Sequence, residues 1–237
     1  MKKSLLAVLV LIATIGFFIA PLLTDPFMGY RAEHLPNFNP APPIQPAGYA
    51  FSIWGVIYSW LLVSAVFGLW KRRDDGDWDI VRAPLLVALA IGVFWLWIAN
   101  RSAIWGSVSI IAMAIAAITA LMQAPTQDRW WLRGVIGLYA GWLSAASFVS
   151  LCVTLAGFNI LFGYDAWALI GIGVATLLAI TVQSNVPNTP EYGIAVTWAL
   201  VGIIIANWGI DQTVLIAAAI GGAFVAIKAG LGVFRTQ

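Results

Sequence analysis

The sequence predicts an all-α polytopic membrane protein with eight transmembrane helices. Of its 237 residues, 62% are hydrophobic and only 9% are charged, whereas a soluble domain carries about 25% charged residues. The hydrophobic residues form runs of about 20, which is the length that a helix needs to cross a bilayer and about twice that of a membrane β-strand. These observations exclude a water-exposed globule and a β-barrel.

The first apolar run covers residues 4–23 and resembles a secretory signal peptide. It is longer than the usual hydrophobic region of such a peptide and no Ala-x-Ala pattern follows, so we interpret it as transmembrane helix 1. The loop after it, residues 24–45, is longer than ordinary connections and carries five prolines and several aromatic residues. Long loops are functional or disordered, and this composition favours an ordered lid.

The remaining apolar runs predict seven further helices. Helices 2 to 8 are expected at residues 47–70, 84–101, 103–122, 134–155, 166–182, 192–208 and 213–231. Helix 3 is placed from Pro84, because proline is tolerated in the first helical turn. The charged stretch before it, residues 71–79, is interpreted as a solvated loop.

The positive charges lie almost entirely on one side of this arrangement. Ten of the 12 Lys and Arg residues fall on the side of the termini, and only Arg31 and Arg101 fall on the other. The positive-inside rule therefore predicts cytoplasmic termini and an outer lid, and we expect the bacterial inner membrane. No Asp, Glu, Lys, Arg or His lies in the middle of a predicted span, which disfavours an ion-coupled transporter. Basic residues are too few for a nucleic-acid partner.

A short internal repeat marks the ends of helices 3 and 7. The segment Ile98-Ala-Asn-Arg-Ser-Ala-Ile resembles Ile205-Ala-Asn-Trp-Gly-Ile, and an Ile- and Ala-rich helix follows each. The similarity is either a parallel repeat of a helical hairpin, unlike the inverted repeats of transporters, or a chance match between helices of similar composition.

Aromatic and hydrogen-bonding side chains collect in the outer half of the membrane, beneath the lid. On helix 2 they recur at i, i+3 and i+7 and so share one face. Together they predict a lidded cavity, although interfacial aromatic belts and close helix packing are the alternative explanations. The candidate ligand-binding residues are Phe51, Trp54, Tyr58, Trp97, Asn100, Trp105, Tyr139, Trp142 and Ser150.

Three segments resemble the tryptophan-rich sensory protein/translocator protein family, also called the peripheral-type benzodiazepine receptor family. Pro46-Ala-Gly-Tyr-Ala-Phe-Ser-Ile-Trp-Gly-Val-Ile-Tyr58 is similar to its second-helix motif, in which a Pro-rich loop precedes Phe-x-x-x-Trp-x-x-Leu-Tyr. Tyr139-Ala-Gly-Trp-Leu-Ser-Ala-Ala-Ser-Phe resembles its fifth-helix Pro-Tyr-x-x-Trp-x-x-Phe-Ala, and Trp97-Ile-Ala-Asn100 with Trp105 resembles its third-helix Leu-Asn-x-x-Trp. The family's loop tryptophan is missing, and Ser150 stands where helix 5 of the family usually has Asn.

The resemblance implies a five-helix unit over residues 1–156 and a three-helix C-terminal extension over residues 157–237. It also implies a membrane sensor or binding protein for hydrophobic planar ligands, porphyrin or haem-like tetrapyrroles, which often forms a homodimer and requires no cofactor. Because the sequence offers no nucleophile–base pair or metal constellation, we expect no enzymatic activity. The alternatives are a structural subunit of a larger membrane complex and a facilitator of a lipophilic solute.

Overall fold

A computed structural model describes the backbone of residues 3–234 and the side chains of residues 5–232. Over that range the predicted all-helical class is confirmed, with eight α-helices. They are α1 Lys3–Leu23, α2 Ile53–Lys71, α3 Gly76–Ala99, α4 Ala103–Gln123, α5 Arg133–Gly157, α6 Tyr164–Asn185, α7 Pro190–Ala206 and α8 Gln212–Phe234. Seven are long and apolar enough to cross a membrane. The exception is α7, whose 17 residues span about 25 Å, slightly less than a bilayer core.

Helix α5 is shared by two rings of helices. On one side, α1 packs against α2 and α3, α3 against α4, and both α2 and α4 against α5. On the other side, α5 packs against α6 and α7, and both of these pack against α8. Glycines allow the close approach of α7, because a Cβ atom at Gly141 would overlap the backbone carbonyl of Tyr192. The extension therefore shares its central helix with the predicted five-helix unit.

Helix α3 begins eight residues before the predicted start. The carboxylate of Asp75 caps it by accepting hydrogen bonds from the backbone N–H groups of Asp77 and Trp78, which is a standard N-terminal cap. Pro84 consequently lies inside the helix, and Trp78 and Arg82 are buried. The prediction of a solvated loop holds for residues 72–75. It was wrong for residues 76–79, which form the first turn of α3 and pack the Trp78 indole onto α2 at Gly68.

The lid, residues 24–45, is folded across the ends of three helices. The backbone N–H of Asn37 donates to the carbonyl of Gly157 at 2.8 Å, and the hydroxyl of Tyr164 donates to the carbonyl of Asn37 at 2.6 Å. Just beyond the lid, the N–H of Ala47 donates to the carbonyl of Gly202 at 3.0 Å. A 3₁₀ helix, Gly48–Ser52, then leads into α2. The connection is thus tied to α5, α6 and α7.

The two Ile-Ala-Asn segments have equivalent positions at the lidded end. Asn100 and Asn207 are the C-terminal caps of α3 and α7. The side-chain amide of Asn100 donates to the carbonyl of Asp25 at 2.9 Å, and that of Asn207 donates to the carbonyl of Pro43 at 2.8 Å. The repeated asparagines therefore hold opposite ends of the lid.

Candidate functional site

A cavity of about 50 Å³ lies directly beneath the lid. Its walls come from the lid, from the start of α2 and from α3, α4, α5 and α7, and they are almost entirely apolar. The lining residues are Phe27, Gly29, Tyr30, Gln45, Pro46, Phe51, Trp54, Trp95, Ile110, Trp142, Ala145, Ala146, Val149, Ser150, Val153 and Ala199. Four of the nine predicted site residues are among them: Phe51, Trp54, Trp142 and Ser150.

Three rings, from the 3₁₀ helix before α2, from α2 and from α5, form the main aromatic wall. The Trp142 ring lies 6.1 Å from Trp54 and 6.0 Å from Phe51, with interplanar angles of 85° and 84°. Such edge-to-face packing is favourable for aromatic rings. Trp142 is 2% exposed, and its indole N–H has no hydrogen-bond partner among the described residues. Buried polar groups in native structures are almost always paired, so this donor is an exception, and it belongs to a residue that lines the cavity.

Tyr58 and Tyr139 support this wall from behind and do not line the cavity. The Tyr58 ring stacks on Trp54 at 5.2 Å with an interplanar angle of 16°. Phe17 of α1 packs its edge against both rings. Tyr139 is fully buried, and its hydroxyl donates to the carbonyl of Ala88 at 3.4 Å. Tyr58 and Tyr139, which were predicted to contact a ligand, therefore lie behind the wall and position Trp54.

The roof of the cavity is made by two lid aromatics that the sequence prediction did not include. Phe27 packs against Tyr30 and Trp95, with centroid distances of 5.4 and 5.1 Å. The Tyr30 hydroxyl lies 2.5 Å from the hydroxyl of Ser150 and 3.3 Å from that of Ser107. Burial raises the pKa of Tyr30 above its ordinary value, so the hydroxyl stays protonated. Ser150, predicted to contact a ligand, is here bonded to the lid.

Residues predicted at the outer ends of α3 and α4 have other positions. Trp97 and Trp105 are 53% and 65% exposed and lie outside the cavity, as expected for an interfacial belt. Asn100 holds the lid. The cavity is instead lined by Trp95, whose indole N–H donates to the carbonyl of Gly106 at 3.0 Å. Trp95 follows Gly92 in the buried stripe of α3, and this 3–4 spacing was the available sequence signal.

Helix α7, from the C-terminal extension, completes the cavity. Ala199 lines it, and the Trp198 indole N–H donates to the carbonyl of Ala50 at 2.8 Å. A Cβ atom at Gly202 would lie 2.8 Å from Cβ of Pro46, so glycine is needed for this close approach. No local pattern connects these residues with a site on α2 and α5, and sequence reasoning missed them.

This architecture defines an integral membrane protein with an aromatic cavity beneath a folded lid. The chain belongs to the TSPO-like protein family, whose family model matches residues 4–231. The match confirms the predicted family, and it extends through the three C-terminal helices. Comparisons with curated proteins and with solved structures find no match.

Proposed function

We propose that this protein is a membrane sensor or binding protein for hydrophobic planar ligands, specifically porphyrin or haem-like tetrapyrroles. The observation that carries the proposal is the wall of Trp54 and Trp142 with an unpartnered indole N–H. Indole rings pack against a flat π-system, and the N–H can donate to a carboxylate or carbonyl oxygen of the ligand. The proposed role is binding without chemical turnover.

Ligand binding would require the lid to withdraw. The closed cavity has a volume of about 50 Å³, whereas ligand pockets have volumes of about 300–1,000 Å³. Phe27 and Tyr30 occupy the space between the lid backbone and the aromatic wall. The hydroxyl contacts of Tyr30 are neutral hydrogen bonds, each contributing about 1 kcal/mol, so a ligand that stacks on two indoles can replace them. Binding and lid position would then be coupled, as a sensor requires.

The proposed orientation places the lid on the outer side of a bacterial inner membrane. Its support is the charge distribution, because the described loops at the opposite end carry Arg72, Arg73 and Arg129, whereas the described part of the lidded end carries only Arg31 and Arg101. Lys2 and Arg235, which were counted in the prediction, lie outside the described residues. A ligand would therefore reach the cavity from the outer side.

The test is titration of the purified full chain with protoporphyrin IX, followed by porphyrin absorbance. We expect the double variant Trp54→Phe/Trp142→Phe to bind about ten-fold or more weakly, because two stacking contacts of roughly 0.5–1.5 kcal/mol each are reduced and a donor is lost. The matched control is Trp97→Phe/Trp105→Phe, which removes two exposed indoles and should leave the affinity unchanged. Equal affinity of the two double variants would overturn the site.

A further inference from the structure

A second depression opens on the lipid-facing side of the molecule, between α7 and α8. It is a groove of about 410 Å³, and its lining is apolar except for one threonine. From Pro190 to Val201 along α7 it extends about 16 Å, roughly half the thickness of the hydrocarbon core. It therefore follows one leaflet, starting from the end of the molecule opposite the lid, which we call the basic end because most of the described Lys and Arg residues lie there. Its lining residues are Pro190, Ile194, Thr197, Trp198, Val201, Ala226, Ala229 and Gly230.

Small residues of α8 make the floor of this groove. Ala226 is exposed, and a Cβ atom at Gly230 would meet no atom within 4 Å. Because apolar surfaces that lack contacting atoms lose dispersion energy, the groove is stabilised when it is filled. In a bilayer the surrounding solvent is acyl chain, so a lipid tail is the group that fits its shape and chemistry.

A small polar cavity of about 10 Å³ adjoins the mouth of the groove and shares Pro190 and Ala229 with it. This volume accommodates about one hydroxyl group. Gln183 lines it and is 7% exposed, yet its side-chain oxygen has no partner within residues 5–232. The side-chain oxygen of Asn188, which also lines the cavity, is likewise buried and unpartnered. These two unpaired acceptors favour a bound molecule that carries a hydrogen-bond donor.

The same mouth is positively charged. Lys228 lines the polar cavity and forms no salt bridge in the part of the chain that the structure describes. Arg129 donates to the backbone carbonyl of Asn188 at 3.1 Å, but its charge is paired with the Glu191 carboxylate at 2.6 Å, so Lys228 is the cation that remains for a ligand. A headgroup here must therefore combine negative charge with a hydroxyl donor.

We propose that the α7–α8 groove binds an anionic phospholipid with a hydroxyl-bearing headgroup, such as phosphatidylglycerol. One acyl chain lies in the groove, the phosphate lies near Lys228, and a headgroup hydroxyl donates to the side-chain oxygen of Gln183 or of Asn188. The site faces lipid on α7 and α8 and is separate from the lidded cavity, so it stands whether or not the tetrapyrrole proposal does.

The test is native mass spectrometry of the detergent-purified full chain with dioleoyl lipids. We expect phosphatidylglycerol to be retained about five-fold more than phosphatidylcholine, the preference that one cation near a headgroup supplies. Lys228→Gln should abolish this preference. The matched control Lys71→Gln, at the same membrane end but stacked on Trp70, should keep it. Equal retention of the two lipids by the wild type, or equal loss in both variants, would overturn the site.

Two further experiments test the contacts of the lipid acyl chain and of the headgroup separately. Ala226→Trp fills the groove and should reduce retention of every lipid, whereas Ala223→Trp, also exposed on α8, should not. Phosphatidylmethanol has the same charge without a headgroup hydroxyl, and we expect weaker retention than for phosphatidylglycerol. Equal retention of these two anionic lipids would contradict the assignment of Gln183 and Asn188. Protoporphyrin binding should be unchanged in Lys228→Gln, which distinguishes failure here from failure of the lidded site.

Discussion

The two ends of the molecule are held together by different chemistry. At the lidded end, neutral hydrogen bonds from Asn100, Asn207 and Tyr30 hold a loop over a cavity. At the opposite end, charged side chains connect the loops. Buried Arg133 donates to the Thr189 hydroxyl at 2.7 Å and to the carbonyls of Ala124 and Pro187. The contrast indicates that the lidded end can rearrange while the basic end stays fixed.

The α2–α3 connection shows how firmly the basic end is held. The guanidinium of Arg82 donates to the Asp79 carboxylate and to the carbonyls of Gly68, Arg72 and Arg73. It is 3% exposed, so its hydrogen bonds form in a medium of low dielectric constant, where they are stronger than in water. One side chain thereby satisfies the carbonyls at the end of α2 and the carboxylate in the first turn of α3.

The largest expected effect is the loss of this connection in Arg82→Met. Removing one partner of a buried charge pair costs about 3–5 kcal/mol, and three backbone carbonyls also lose a donor. We expect a large fall in the thermal unfolding midpoint, measured by tryptophan fluorescence in detergent. Arg73→Met, an exposed neighbour, should change it little. If both variants unfold at the wild-type temperature, the basic end is not the fixed end.

A smaller effect is expected from Asp128→Asn. Asp128 accepts hydrogen bonds from Arg72 at 2.6 and 3.1 Å and from the Trp78 indole at 3.1 Å. Its φ of 55° is tolerated by asparagine, so the backbone should be unaffected. We expect a lower unfolding midpoint than wild type at neutral pH, but a smaller loss than in Arg82→Met.

The Asp128 carboxylate also predicts that the stabilisation it provides depends on pH. The hydrogen bond from Arg72 lowers the pKa of Asp128 below its ordinary value of 3.8. Its contribution is therefore present above the unfolded-state pKa and is lost as the pH falls through the lower folded-state pKa. Unfolding midpoints of wild type and Asp128→Asn should converge on acidification below that ordinary value. A constant difference over the whole range would contradict the ion pair.

The smallest effect on global stability should come from the lid contacts. Asn100→Ala and Asn207→Ala each remove a neutral hydrogen bond of about 1 kcal/mol, so the unfolding midpoint should change little. Hydrogen exchange over residues 24–45 should nevertheless increase, and most in the double variant. Asn185→Ala, which removes an equivalent amide bond to the Thr181 carbonyl at the basic end, is the matched control. Unchanged lid exchange in the double variant would show that the asparagines do not hold the lid.

The sequence by itself determined the membrane class, the order of the helices and the family. Bilayer thickness imposes one length on every span, so apolar runs can be recognised without knowledge of their packing. The spacing of Phe51 and Trp54 at the entry to α2, and the motif around Trp142 on α5, likewise predicted side chains that line the cavity, because residues at i and i+3 share a helix face.

Only the tertiary structure decided which side chains reach the cavity. Trp95 and Trp97 are two residues apart on one apolar helix, and the choice between them depends on where α3 meets α1 and α4. Tyr30 closes the roof of the cavity and Ala199 contributes to its wall, and both positions depend on contacts between segments that are far apart in the chain. In a membrane helix both faces are apolar, so hydrophobicity does not distinguish the lipid-facing side from the buried one. The buried side is instead set by small residues that allow close helix approach and by contacts with residues far away in the sequence.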